Sequence, residues 1–205
     1  KKEFSWKLGE RVHRVDAREK VLGYGEYVDD MEVEGLLHAS AVRSKYPRAR
    51  VLSIDIEKAK AVPGIVDIFT AADIPGDIKV GHLVQDWDTM IPVGSITHYL
   101  GDAIALVVGE KLDAVEKAKK LVKVAYEELP FVSNPQEAMK EDAPLVHGSG
   151  NLLAHKHVSR GNAKEAIANA KYVYTEEFHT PWTEHAFLEP ECAIGMPYED
   201  GVLIY

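Results

Sequence analysis

The chain has 205 residues, 46% of them hydrophobic and 28% charged, so it can bury a real core as one large or two small globular units, and global disorder is excluded. Its formal net charge is -9, and lysines and arginines alternate with acids instead of forming a stripe, which argues against a nucleic-acid partner. Cys192 is the only cysteine, so an internal disulfide and a four-cysteine zinc or iron-sulfur site are excluded.

Lys1-Lys2-Glu3-Phe4-Ser5-Trp6 has no apolar segment behind its two lysines, and no later run approaches the roughly 20 residues that span a bilayer. A cytoplasmic protein without a membrane partner is expected. Up to Met31 the chain carries Val21-Leu-Gly-Tyr-Gly-Glu-Tyr, whose glycine pair reads as a turn or bulge because it lacks the preceding strand and third glycine of a phosphate loop. From Gly35 the pattern turns extended, with Leu37, Ala39 and Ala41 on one face and His38, Ser40 and Val42 on the other. A second strand is expected over Arg50 to Ile56, paired with the first, then a short helix from Glu57 to Val62 stopped by Pro63-Gly64. Ile65-Val-Asp-Ile-Phe-Thr suits a pleated surface, and a turn follows at Ala72-Asp-Ile-Pro-Gly76.

Asp77 to His98 has no sustained period and reads as an irregular excursion with one short strand. Ala103-Ile-Ala-Leu-Val-Val-Gly is continuously apolar, as in a strand covered on both faces. Leu112 to Leu121 is a helix by the spacing of Leu112, Val115, Ala118 and Val122, with Asp113-Lys117 and Glu116-Lys120 as pairs one turn apart. Val122-Lys-Val-Ala-Tyr-Glu-Glu-Leu then completes a strand-helix-strand crossover in a mixed sheet, right-handed if its strands are parallel neighbours. Asn134 before Pro135 and Asn162 before Ala163 to Ala170 are helix caps, with Glu165 able to reach back. Tyr172 to Thr180 and Pro190 to Met196 read as strands, and Glu199-Asp-Gly201 turns the latter into Val202-Leu-Ile-Tyr205. An apolar strand at the last residue suggests a fragment of a longer protein.

Candidate chemistry is sparse. His155 with His157, and His179 with His185, invite a metal site, but the spacing is not that of a helix-borne zinc site and His185 lacks the second histidine of His-Glu-x-x-His, so solvated side chains are expected. Glu189 and Glu191 share a face of the expected strand and suit acid-base work only if buried in a cleft; solvated or ion-paired carboxylates are the plainer reading. Cys192 in Glu191-Cys-Ala-Ile-Gly is expected to be a buried, inert thiol. Trp6, Trp87 and Trp182 are isolated, so no base-stacking platform is expected, and neither a serine elbow nor a Walker-type loop is present.

Several blocks in succession carry a family likeness: Gly9-Glu-Arg-Val-His-Arg-Val-Asp-Ala-Arg-Glu-Lys-Val-Leu-Gly, Tyr27-Val-Asp29-Asp30, Gly35 to Arg43-Ser44, Pro63-Gly64, Tyr99-Leu-Gly101-Asp-Ala-Ile-Ala-Leu-Val-Val and Val124-Ala-Tyr-Glu-Glu-Leu-Pro. Colinear over nearly the whole chain, they resemble the molybdenum-binding subunit of xanthine dehydrogenases and aldehyde oxidases at its amino-terminal hammerhead domain. Pro144-Leu-Val-His147, Gly161-Asn-Ala-Lys-Glu-Ala-Ile and Thr180-Pro-Trp-Thr-Glu-His185-Ala-Phe-Leu-Glu189-Pro190 resemble the linker into, and the opening of, the molybdopterin-binding domain. The flavour is that of the purine-processing branch. Lys45-Tyr-Pro-Arg-Ala and Asp102-Ala103 depart from the usual pattern at positions outside the catalytic set.

The resemblance implies an α+β protein, an α/β hammerhead with a mixed sheet followed by the first strands of a second domain. The expected divisions are an extension over 1-14, the hammerhead over 15-131, a linker with short helices over 132-170 and the truncated start of a molybdopterin-binding domain over 171-205. The parent is expected to hydroxylate a purine, related heterocycle or aldehyde with oxygen from water, through a metal-bound hydroxide and a carboxylate base. The family places its cofactor contacts and base glutamate in later segments. No catalytic, cofactor-binding or metal residue is therefore expected here, and the chain alone is expected to be inactive, with His185 and Glu189 structural at the domain junction. Molybdopterin is expected in the complete subunit, with iron-sulfur clusters and FAD on partner subunits or domains. The rival expectation is a noncatalytic interaction module with the same fold.

Overall fold

A computed structural model describes residues 8-205; Trp6 and the opening lysines lie outside the described residues. Two units separate, a larger one over Gly35–Val173 and a smaller one made of the chain before it and Tyr174–Tyr205.

The larger unit is organised by β6 (Ala103–Gly109), the continuous apolar run. Its neighbours are β1 (His38–Arg43) and β3 (Ile65–Thr70), both antiparallel to it, in the order β1-β6-β3. Because successive side chains point to opposite faces of a strand, β6 serves two cores. Ala105 and Val107 pack with Ile68 of β3 against Ala59 of α2 (Glu57–Lys60) and against Val115 and Ala118 of α3 (Leu112–Lys119). On its other face Ile104 packs with Ile91 and with Val51 of β2 (Ala49–Asp55). Strand β2 pairs antiparallel with β7 (Lys123–Glu128) in a second sheet, and Ile54, Val124 and Tyr126 border the same core. Helices thus cover one face of the first sheet, and the second sheet covers the other.

That arrangement corrects three sequence expectations. The strands before and after Ser44 do not pair with each other; each crosses the domain to a strand more than fifty residues later. Strands β6 and β7 flank α3 but belong to different sheets, so no crossover joins parallel neighbours. All ladders among the described residues are antiparallel, so the sheet is not mixed, while the α+β hammerhead class holds. The governing term is two-sided burial: β6 is the most apolar strand and takes the central place, leaving β7, with alternate residues exposed, for the outer sheet.

Local chemistry explains the element ends. Asn134 Oδ1 accepts from the N–H groups of Gln136 and Glu137 at the start of α4 (Pro135–Ala138). Asn162 Oδ1 accepts from Glu165 N, and Glu165 returns a carboxylate to Asn162 Nδ2, opening α5 (Ala163–Ala168). Gly109 has no room for a side chain: a Cβ there would sit 2.8 Å from the Gly64 carbonyl oxygen and 3.0 Å from Val115 Cγ2. On α3 the expected Asp113-Lys117 and Glu116-Lys120 pairs give way to Glu116-Lys119 at 2.8 Å, because Lys119 Nζ also donates to Ser40 Oγ on β1. The excursion after Asp77 holds a short ladder, β4 (Lys79–Val80) with β5 (Trp87–Asp88), where one strand was expected.

Two carboxylates, Asp67 within β3 and Asp73 just beyond it, are held below the usual carboxylate range. The Lys60 ammonium donates to Asp67, helped by the Ile68 N–H, and the Thr70 N–H and hydroxyl donate to Asp73. A depressed folded-state pKa contributes stability that is fully present above the unfolded value and is lost as pH falls through the folded value. The urea midpoint is therefore expected to hold from neutrality to about pH 5 and to fall below about pH 4, with a smaller fall in Asp67→Asn.

In the smaller unit α1 (Ala17–Leu22) lies just before the glycine pair, which turns the chain as expected. Gly23, at φ +78°, ends α1 in the left-handed conformation that glycine adopts without strain. A hairpin of β8 (Gly195–Tyr198) and β9 (Gly201–Ile204) turns at Glu199-Asp200, as expected. The strand expected over Tyr172 to Thr180 is absent, and of the strand expected over Pro190 to Met196 only the end forms, with Ile194 exchanging two backbone hydrogen bonds with Tyr205 while Pro190 to Ala193 stay outside the hairpin. No neighbouring strand pairs with these segments among the described residues, and every residue from 152 to 193 is exposed.

Candidate functional site

In the smaller unit a recess of about 620 Å³ is lined by Arg14, Lys20, Tyr27 and the segment Phe187 to Cys192. It gathers three of the residues singled out from sequence: Glu189, Glu191 and Cys192. Asp16 already engages the cations. Arg14 Nη2 donates to Asp16 at 2.9 Å beside a second, shorter contact, and Lys20 lies 3.9 Å from the same carboxylate with its ammonium over the Tyr27 ring. Asp16 raises the Arg14 guanidinium above its ordinary value, and Arg14 lowers Asp16 in return. Cys192 is exposed, which corrects the expected burial: it lies before the hairpin in unpaired chain, so no sheet face covers it. No histidine lines this recess, so it offers no thiol-imidazole pair.

The other candidates stay apart. His155 and His157 are exposed in irregular chain, His179 faces Glu177 at 3.2 Å on an exposed stretch, and His185 stacks on Phe187 at 5.4 Å. Among the described residues no three His, Cys, Asp or Glu side chains converge as a metal would require.

Sequence reasoning missed a polar cluster in the larger unit. Asp88, 9% exposed at its side chain, lies 3.1 Å from Lys79 Nζ and 3.3 Å from His98 Nε2, and His98 stacks on His147 with centroids 5.9 Å apart. Buried Asp102 fixes the same loop by accepting from the His98 and Tyr99 N–H groups. The cluster joins the β4-β5 ladder, the loop before β6 and the segment after α4, a combination with no linear motif. One signal was available: Asp102 stands where a strand core begins, and an acid there needs backbone donors.

A groove of about 680 Å³ also lies beside β1, with Arg43, Lys45, Lys119 and Lys120 against the single carboxylate of Glu116. Burial raises the Tyr126 phenol above its usual value on the groove wall.

Residues 22-130 match the model of the aldehyde oxidase and xanthine dehydrogenase a/b hammerhead domain, slightly more than half of the chain. The chain belongs to the aldehyde oxidase and xanthine dehydrogenase family. Residues 146-205 of this family member match the molybdopterin cofactor-binding domain. It is 31% identical over 196 residues to the nicotinate dehydrogenase large molybdopterin subunit of Eubacterium barkeri, covering 96% of this chain and 46% of that one. It is 34% identical over 198 residues to a xanthine dehydrogenase molybdenum-binding subunit of Escherichia coli, covering 92% of this chain and 26% of the relative. Among solved structures, the aldehyde oxidoreductase of Desulfovibrio gigas superposes with a TM-score of 0.70 at 27% identity, over 78% of this chain and 19% of that one. A Cu,Mo-CO dehydrogenase superposes with a TM-score of 0.61 at 32% identity, over 76% of this chain and 19% of that one. The chain spans between a quarter and a half of the length of these curated relatives.

The family is one of molybdenum-dependent oxidoreductases, yet the described residues do not fit its cofactor by themselves. Within 146-205 the stretch from 152 to 193 is exposed throughout, so these residues do not enclose a cofactor among themselves. No helix among the described residues is long and apolar enough to cross a membrane.

Proposed function

We propose that the chain supplies the hammerhead and the opening of the molybdopterin-binding domain to a cytoplasmic, xanthine dehydrogenase-like hydroxylase, one that inserts water-derived oxygen into a purine, a related heterocycle or an aldehyde. Its part is that of scaffold and interface, over the divisions 15-131 and 171-205. Catalytic, cofactor and metal residues come from the rest of the molybdenum subunit, and electrons leave through iron-sulfur and flavin partners. One observation carries this reading. The family segment that matches a cofactor-binding domain leaves Phe178, Trp182, Phe187 and Leu188, all of the smaller unit, exposed. Exposed aromatic and aliphatic side chains of that size mark a segment that binds a partner, and the remainder of the molybdenum subunit is the occupant that fits.

The test has two arms. The purified 205-residue chain is expected to carry no molybdenum by elemental analysis and to turn over none of hypoxanthine, xanthine, nicotinate or an aromatic aldehyde. The complete subunit complex is expected to hydroxylate at least one of them. Stoichiometric metal on the chain alone overturns the scaffold role. A reading frame that stops at Tyr205 replaces the whole reading with a noncatalytic interaction module.

A further inference from the structure

The groove beside β1 has a geometry that the scaffold reading leaves unused. Ser40, Ala41, Val42 and Arg43, four consecutive residues of β1, line it. A groove over one face of a strand touches alternate residues only, so this one runs along the strand's edge. That edge is open: among the described residues β1 has β6 as its single ladder partner, and the order β1-β6-β3 leaves it outermost. The facing wall is different in kind. Val122, Val124 and Tyr126 contribute alternate side chains from β7 and its lead-in, giving an apolar surface opposite a row of backbone donors and acceptors.

Charge selects what fits there. The chain as a whole carries -9, yet this groove holds four cations and one carboxylate. Glu116 is engaged by Lys119, which lowers its carboxyl below the usual range, and Arg43 donates to the Gly101 carbonyl oxygen. Lys45 and Lys120 are exposed and carry no ion pair among the described residues.

The geometry points to strand addition: an acidic, extended segment of a separate partner polypeptide pairs with the free edge of β1, making a fourth strand of that sheet. Its apolar residues meet Val122, Val124 and Tyr126, and its carboxylates meet Lys45 and Lys120. Main-chain hydrogen bonds supply affinity in this mode, and alternate side chains supply selection.

The probe is a fluorescently labelled nine-residue peptide of alternating Glu and Val, titrated into the intact chain by anisotropy. A Lys-Val peptide of the same length and a Glu-Val peptide N-methylated at alternate residues are the controls. The expected result is saturable binding of the first peptide, weakened by salt, with at least tenfold loss on N-methylation and no binding of the Lys-Val peptide. Lys45→Glu combined with Lys120→Glu is expected to cost at least tenfold while leaving the urea midpoint unchanged. Hydrogen exchange is expected to slow at backbone amides of β1 on binding. Equal binding of the N-methylated peptide overturns strand addition in favour of a charged surface, and absence of binding overturns the site. Concentration-dependent dimerisation abolished by the double substitution overturns the partner in favour of a second copy.

Discussion

Replacing Ile104 by alanine is expected to destabilise the larger unit by about 3 kcal/mol, within the range of roughly 2 to 5 for such truncations of buried isoleucine. Ile104 is fully buried and is the residue through which β6 reaches the second sheet, against Val51 and Ile91. Truncation leaves a void bounded by strands of two different sheets, and neither can collapse without disturbing its own ladder. The melting temperature is expected to fall by on the order of 10 °C. Ile104→Val, which removes one methylene, is expected to cost only about 1 kcal/mol. If the alanine variant melted within about 2 °C of the parent, the two-sided role of β6 would be wrong.

The second large effect is expected at Asp102. Its carboxylate is buried and accepts from the His98 and Tyr99 N–H groups, while its backbone carbonyl accepts from Ser44 N at 2.7 Å. Asp102→Ala keeps the carbonyl contact but takes the acceptor from the part-buried His98 and Tyr99 N–H groups, at a cost of about 2 kcal/mol, since roughly 1 to 3 applies to a fully buried group and Tyr99 is partly open to water. Asp102→Asn retains an acceptor oxygen and is expected to lose less than half as much. Because His98 sits on Asp88 and against His147, the alanine variant is also expected to shift the His98 ring resonances in a proton spectrum, whereas Ile104→Ala leaves them in place. Equal midpoints for Asp102→Ala and the parent would show that water, not the carboxylate, satisfies those donors.

The contrast between these sites shows what the sequence made legible. The uninterrupted run from Ala103 to Gly109 announces two-sided burial, and Asn134 and Asn162 announce helix starts by side-chain chemistry that acts within three residues. Pairing was not legible. Strand β1 accepts β6, and β2 accepts β7, because of which apolar face covers which, a choice made between segments far apart in the chain. Cys192 and the stretch from Tyr172 to Thr180 were misread for a related reason: β propensity describes fit to a half-buried pleated surface, and among the described residues no such surface lies against them. The recess around Arg14 and the cluster around Asp88 combine segments that no spacing rule connects, while the isolation of His155 and His157 was foreseeable from their irregular surroundings.

The nesting of the two ladders also sets a timetable for synthesis. His38 meets Gly109 and Ala49 meets Glu128, so β1 lacks its mate until more than half of the larger unit has been made, and β2 until about two thirds of it has. Until then β1 and β2 are unmatched edges on a nascent chain, the species most prone to wrong association. Closure over such long intervening loops is slow for its size. Holdase chaperones that bind extended apolar segments are therefore expected to engage this polypeptide during translation and to release it only after residue 128 has emerged.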